Sequence, residues 1–258
     1  MFYDEFFDQL AERLTKLRNT QREAIDTGAD LVVASFDEGR KTHIFGSGHS
    51  ALVTQDASVR AGSLALFNPI FAPGLLATDF PFLRAGLLER LSGIAAAVLD
   101  TSEVEAGDTL IVVSNSGRNH VPIEMAVDAR ERGMRTIAVT GLETALSQPS
   151  RHSSGKHLHE LCDVVIDTHV PVGDAVVDIP GIPARLGPVS TILAAASVHA
   201  LAASVAQKLH ARGIKPPVLV SGNVDGGDDY SLDVLERHRH LTTYLTGMPT
   251  RWTKGATQ

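Results

Sequence analysis

An α/β fold, a mostly parallel sheet covered by helices on both faces, is what this sequence predicts, and three observations predict it. A short β-rich run, THIF from Thr42, ends in a glycine turn, GSGHS, and gives way to a helical pattern. The same unit recurs at DTLIVVSNSG (108–117), followed by an amphipathic stretch from about Val121 to Gly133. It begins again at RTIAVT (135–140). Strands that alternate with helices are joined by crossovers, the connection that parallel strands need.

The elements follow in order. From residue 3 to about 37, Phe6, Phe7, Leu10, Leu14 and Leu17 recur at helical spacing among charged residues, which predicts one or two amphipathic helices. The turn after THIF leads into a helix from about Ser50 to Leu64; Leu66 to Phe71 then reads as a strand and Phe82 to Leu99 as a helix. After RTIAVT, the stretch from Leu142 to His159, rich in Ser, His and Pro, reads as a loop. Val164–Asp167 and Val176–Ile179 read as strands, and Pro188 to Arg212 as a helix. Within that helix Ile192–Ala206 is apolar but too short and too polar to cross a bilayer, and its alanines suit close approach of neighbouring backbones. From Ser221 a glycine turn precedes a terminal helix, with Ser231 as its capping residue.

A chain of 258 residues is long enough for one α/β core with appendages. With 23 Lys+Arg against 30 Asp+Glu, the formal charge of −7 offers no footprint for nucleic acid or an anionic membrane. Neither partner is expected, and small-molecule chemistry is the default. The single Cys162 rules out an intramolecular disulfide, and MFYDEFFDQL is acidic where a signal peptide would be basic. A cytoplasmic location is the expectation.

Open parallel sheets bind ligands outside the carboxyl ends of their strands, so the loops after THIF and TLIVV are where chemistry is sought. In Gly46-Ser47-Gly48-His49-Ser50 two glycines permit close backbone approach, and the N–H groups of the next helix start lie beside a hydroxyl. That composition suits an anion. In Ser114-Asn115-Ser116-Gly117-Arg118-Asn119 several hydrogen-bonding side chains precede another helix, and two such ends can converge on one phosphate. The competing explanation is conformational: Gly and Ser populate turns, and Ser50, Ser114 or Ser116 can cap helices. A dinucleotide reading also exists, since Gly46-x-Gly48-x-x-Ala51 fits the fingerprint. No Asp or Glu from Ala57 to Thr78 is available to hold a ribose, which leaves only an NADP-type pocket with a nearby Arg. No cofactor is expected.

On these residues the chain resembles the sugar isomerase (SIS) domain superfamily of phosphosugar-binding proteins over roughly residues 40–210. Within it, RAG at 60–62, SNSGRNHVPIEMA at 114–126 and the late GGDD are most similar to uncharacterised SIS domain-containing, phosphoheptose isomerase-like proteins. The resemblance implies a flavodoxin-like three-layer αβα sandwich with a five-stranded parallel sheet, usually assembled into dimers or tetramers. Residues 39–212 would form that domain, with a helical extension at 1–38 and a C-terminal turn and helix at 213–258 packing on it or on a partner subunit. It further implies a phosphate held by Ser114, Ser116 and Asn119, with Asn115 as a lesser candidate, and by Ser50 in the earlier loop beside Gly46, Ser47 and Gly48. Matched to phosphoheptose isomerases, Asp56 and Arg60 stand where those enzymes carry a His and a catalytic Glu. Thr191 and His199 stand where they carry a Gln and a His. Too few matched ligands are present for zinc, since Asp56 with His199 does not complete a tetrahedral site, and no metal is expected.

Aldose–ketose isomerisation needs a base that moves a proton between adjacent carbons, a relay at the oxygens, and a group that stabilises an enediolate. Base duty falls to Asp56 or Glu89, ring opening or proton transfer to His199 or His49, and charge stabilisation to Arg60. Each has an ordinary structural role as well: Asp56 and Arg60 can pair across one turn, His199 can be a core or interface histidine, and Glu89 an exposed helix residue. The Gly173-Asp174 pair can place an acid at another strand end or simply make a turn. The expected function is isomerisation of a sugar phosphate. Two alternatives stand beside it: an etherase-type lyase that begins with the same proton abstraction, and a non-catalytic phosphosugar sensor. The first 38 residues hold no convincing recognition helix for direct DNA binding.

Overall fold

The computed structural model describes residues 1–81 and 83–248. Five strands, β1 (Thr42–Gly46), β2 (Phe67–Ile70), β3 (Thr109–Val113), β4 (Arg135–Thr140) and β5 (Val164–Asp167), form one parallel sheet in the order β2-β1-β3-β4-β5. Every residue of β1 and β3 is buried, which is why neither shows the polar–apolar alternation of a strand with one wet face, and Leu110–Val113 reads as a continuous apolar run. In register, Thr42 faces Thr109 and Gly46 faces Val113, so the loops after β1 and β3 leave the sheet side by side. Between these strands the winding of the sheet reverses, and that switch point is where open sheets of this order leave a crevice.

Alternate strand residues feed two core layers. On one face Ile44, Ile111, Val113, Ile137 and Ile166 pack against α2 (Arg22–Asp37), α3 (Ser50–Ala57) and α8 (Ser190–Ala211) through Ala29, Val32, Val53, Val198, Leu201 and Val205. On the other, Phe45, Leu110, Val112 and Ala138 meet α5 (Ile94–Asp100) and α6 (His120–Glu131) through Leu99, Val121, Met125 and Ala129. The result is the three-layer αβα sandwich expected. The N-terminal helical stretch is two helices, α1 (Phe2–Thr20) and α2, parted at Gln21.

Several elements differ from the sequence reading, each for a local reason. The helix after GSGHS stops at Ala57, not Leu64: Ser58 Oγ donates to the Thr54 carbonyl, and the chain turns to pair Gly62, Leu64 and Ala65 with residues 217–219. The helix read at 82–99 is two, α4 (Leu83–Leu88) and α5, because Gly93 adopts φ +86° at the start of α5; its first residue, Phe82, lies outside the described residues. The loop at 142–159 contains a short helix, α7 (Leu142–Leu146), and a 3-10 turn at Leu158–Glu160. The run read as a strand at 176–179 is β6 (Ala175–Val177), paired antiparallel with β7 (Leu186–Pro188) in a separate hairpin. α8 runs 22 residues, long and apolar enough by length and composition to cross a bilayer, so the sequence estimate of a too-short segment does not hold. Its Leu193, Val198, Leu201, Val205 and Leu209 are instead spent on the core. Finally, α9 (Gly227–Arg237) starts after Gly226, and Ser231 is no cap: its hydroxyl bonds the Val220 backbone from inside the helix. Residues 249–258 lie outside the described residues.

Candidate functional site

A cavity of about 560 Å³ opens over the switch point. Its walls are the loops after β1 and β3, the length of α4 and its exit, and the start of α8. The β1 loop can be this tight because residue 46 is glycine: a Cβ there would lie 2.5 Å from the Ser50 carbonyl oxygen. Gly48 takes φ +56°, and its N–H donates to Leu75 O at 2.7 Å. The Ser50 and Ala51 N–H groups donate to Ser47 O and Gly48 O, so these amides of the first loop are already engaged. What that loop offers the cavity is the hydroxyls of Ser47 and Ser50 and the exposed imidazole of His49, which is itself the N-cap position of α3.

The β3 loop is the opposite case. Gly117 donates to Ser114 Oγ at 3.2 Å and turns the chain at φ +54°. Among the described hydrogen bonds none uses the N–H of Asn115, Ser116, Arg118 or Asn119. Consecutive free amides beside hydroxyls form an anion-binding concavity. Asn115 is pressed onto the end of β4, where Gly141 N–H donates to its carbonyl at 3.0 Å and a Cβ on residue 141 would meet its Oδ1 at 2.6 Å.

Glu89, in the turn after α4, ties the two loops together. Its Oε1 accepts from Ser47 Oγ at 2.8 Å and its Oε2 from Asn119 Nδ2 at 2.7 Å. Asn119 is used at both ends, since its Oδ1 accepts from Arg151 Nη1 at 2.6 Å, and it does not line the cavity. The opposite wall carries Asp174, whose carboxylate accepts from the N–H groups of Val189 (3.0 Å) and Ser190 (2.7 Å) and from Ser190 Oγ (2.7 Å). It caps α8 from a backbone at φ +68°, a conformation that costs a non-glycine residue of order 1 kcal/mol or more. Thr168 Oγ1, also on the wall, is buried without a partner.

The residues expected from the sequence divide into two groups. Ser47, Gly48, His49, Ser50, Glu89, Ser114, Asn115 and Ser116 line one cavity, with Gly46 beneath it and Asn119 behind Glu89. Asp56, Arg60 and His199 meet one another instead: Arg60 forms an ion pair with Asp56, and His199 Nε2 lies 2.7 Å from Asp56 Oδ2. This trio sits farther along the α3–α8 seam and does not line the cavity, because α3 is only two turns long and its first turn already forms the wall. Arg60 lies beyond the end of α3 yet still pairs with Asp56 four residues earlier, the ordinary structural role open to both. Among the described residues no three of His, Cys, Asp or Glu gather in a way that suits a metal ion. Sequence reasoning missed Arg90, Thr168 and Ser190 as cavity residues; Thr191, matched to a family position, does line it, and for Asp174 the signal was present, an acid beside a glycine at a strand end.

A doubly wound sheet with a cavity between the loops of β1 and β3 defines an α/β protein of the kind whose crevice lies at the switch point. The chain belongs to the SIS domain family, whose sequence profile matches residues 5–141. It is 42% identical over 241 residues to a UPF0309 protein of Streptomyces coelicolor, covering 93% of this chain and 96% of that one. To a UPF0309 protein of Shouchella clausii it is 36% identical over 244 residues, covering 95% and 99%. Among solved structures, a phosphoheptose isomerase from Neisseria gonorrhoeae is similar with a TM-score of 0.52 at 20% identity, covering 78% of this chain and 95% of that one. The Vibrio vulnificus NanR protein complexed with ManNAc-6P is similar with a TM-score of 0.50 at 16% identity, covering 94% and 70%. These two likenesses show a shared fold.

Proposed function

We propose that this protein binds a phosphorylated sugar in the switch-point cavity and isomerises it between aldose and ketose forms, in the cytoplasm. The phosphate is held by the free amides and hydroxyls of the Ser114–Ser116 loop, with Ser50 completing the seat. One observation carries the catalytic part of the reading. Glu89 is the carboxylate that faces the cavity without being consumed by a cap: Asp174 holds the start of α8, and Asp56 lies outside.

A carboxylate held by Ser47 and Asn119 keeps lone pairs available and a fixed direction, which is what a base shuttling a proton between adjacent carbons requires. His49 on the rim assists ring opening, and Arg90, which lines the cavity, balances charge on the enediolate in the role first given to Arg60. An etherase-type lyase shares the first proton abstraction. Self-association as a dimer or tetramer is supported by α8, whose outer side leaves Ile192, His199 and Ala203 exposed beside the partly buried Ala196 and Ala200.

The test is thermal unfolding and turnover with hexose, heptose, pentose and N-acetylhexosamine phosphates beside the unphosphorylated sugars and NAD(P). A ligand at about 100 times its Kd adds about 2.7 kcal/mol. Phosphate-dependent stabilisation with turnover supports the isomerase. Stabilisation without turnover of any sugar phosphate moves the protein to the sensor class, and stabilisation by NAD(P) alone removes the phosphosugar reading.

A further inference from the structure

Among the described residues eight arginines are in ion pairs with Asp or Glu, and Arg13, Arg18, Arg22, Arg84 and Arg130 are not. Three further arginines, Arg90 on the cavity wall and Arg118 and Arg151 behind it next to Asn119, also have no carboxylate within ion-pair distance among the described residues. They converge on one junction. Arg90 lines the cavity and follows Glu89 in the chain. Glu89 Oε2 accepts from Asn119 Nδ2 (2.7 Å), Asn119 Oδ1 accepts from Arg151 Nη1 (2.6 Å), and the Arg151 N–H donates to Arg118 O (2.8 Å). Each arginine is thus one peptide bond or one hydrogen bond away from the Glu89–Asn119 pair.

The charge there is not balanced. Burial lowers the pKa of the Arg151 guanidinium, the positive charges of Arg118 and Arg90 lower it further, and Glu89 is the group that opposes them. Arg118 Nε is buried with no partner. The other nearby acid, Glu124, accepts from Ser92 Oγ at 2.6 Å and Gly93 N–H at 2.8 Å and has His152 Nε2 at 3.9 Å. The His120 ring packs against His152 with centroids 5.3 Å apart, so the remaining titratable neighbours add no negative charge. Three arginines, with the charges of two reaching Arg151 and opposed there by one carboxylate, exceed what a base needs, and the phosphate seat is built from neutral amides and hydroxyls.

We propose that Arg90, Arg118 and Arg151 form a second anion subsite, so that the ligand is a sugar phosphate carrying a further negative group, either a carboxylate or a second phosphate. The inference rests on the phosphosugar reading of the cavity. Guanidinium forks match the paired oxygens of both groups, and like charges gathered at a cleft become favourable when the anion arrives.

Calorimetric titration of the full-length protein with a hexose monophosphate, the matching hexose bisphosphate and the matching phosphorylated aldonic acid tests it. The expected result is binding at least about tenfold tighter for one or both doubly anionic ligands than for the monophosphate. That gap narrows as salt is raised, which wild-type protein alone can show. Arg151→Gln, at an exposed position, and Arg118→Gln bring the affinities together, and comparison of the two doubly anionic ligands tells carboxylate from phosphate. Equal affinity for all three ligands overturns the second subsite and leaves the phosphate seat standing. Absence of binding by all three, with inorganic phosphate also silent, overturns both.

Discussion

Ser47 and Glu89, 42 residues apart in the chain, are joined by a 2.8 Å hydrogen bond in which the serine hydroxyl donates to the carboxylate. Because Asn119 donates to the other carboxylate oxygen, this one side chain fixes the spacing of two loops that arise from neighbouring strands. Glu89→Gln keeps the shape and can keep both contacts, but removes the charge that accepts a proton. Turnover of the sugar phosphate is expected to fall by about 100-fold or more, with Kd changed less than about threefold. Steady-state kinetics beside direct binding checks this, and undiminished kcat would remove Glu89 as the base.

Ser116→Ala takes one hydroxyl from the loop whose amides are open. Affinity for the sugar phosphate is expected to weaken by about 1 kcal/mol, roughly fivefold, while affinity for the unphosphorylated sugar stays where it was. Equal weakening of both would place Ser116 on the sugar instead of its phosphate.

Gly46→Ala introduces a methyl group 2.5 Å from the Ser50 carbonyl oxygen, at a position with no unusual backbone angle to complicate the result. The start of α3 has to shift, at a cost of about 2 kcal/mol, and ligand affinity falls with it. Denaturant unfolding reads the first effect and titration the second; a variant with unchanged stability would mean that α3 is not seated as tightly as this contact indicates.

At the other end of the sheet His43 Nε2 lies 3.1 Å from Asp108 Oδ2, with both side chains 2% exposed. Burial alone would raise the Asp108 carboxyl, but the hydrogen bonds from His43 and from the Glu105 and Lys41 N–H groups hold it below its ordinary 3.8. A carboxyl with a depressed folded pKa contributes stability that is present above the unfolded value and lost as pH falls through the folded one. Asp108→Asn should therefore lower stability by about 3 kcal/mol near neutral pH. The gap between the two proteins is expected to stay level down to roughly pH 4 and to close below it. Melting temperatures of the pair across that range decide it, and a gap of constant size through the acid limb would contradict the depressed pKa.

Much of the scaffold was legible because fully buried parallel strands are hard to disguise: THIFG, TLIVV and TIAVT have every position inside, and glycine marks where two of them turn. The two serine loops were legible for the same reason, lying at the ends of those strands. The break between α4 and α5 was not, since LLERLSGIAAAVL keeps helical periodicity across the five non-helical residues 89–93 that end in the positive-φ Gly93. Asp56, Arg60 and His199 were placed by matching helices to relatives, and a helix that ends two turns after the loop carries its later residues away from the cavity. Arg90, Arg118 and Arg151 went unread because isolated arginines in loops look solvated, and nothing in spacing along the chain shows that 90, 118 and 151 share one corner.

The unequal state of the two loops gives the cavity a heading. Amides of Gly48, Ser50 and Ala51 are closed off by internal acceptors while those of Asn115 and Ser116 remain open, so among the described hydrogen bonds the second loop offers two consecutive open donors where the first offers none in succession. In the proposed reading, a phosphosugar anchored at that pair extends across the cavity that Glu89 and His49 also line. On that proposal the pocket would work as a ruler: the number of carbons between the anchored phosphate and the carboxylate would set which pair of carbons exchanges the proton, and a sugar one carbon too short or too long would present the wrong bond.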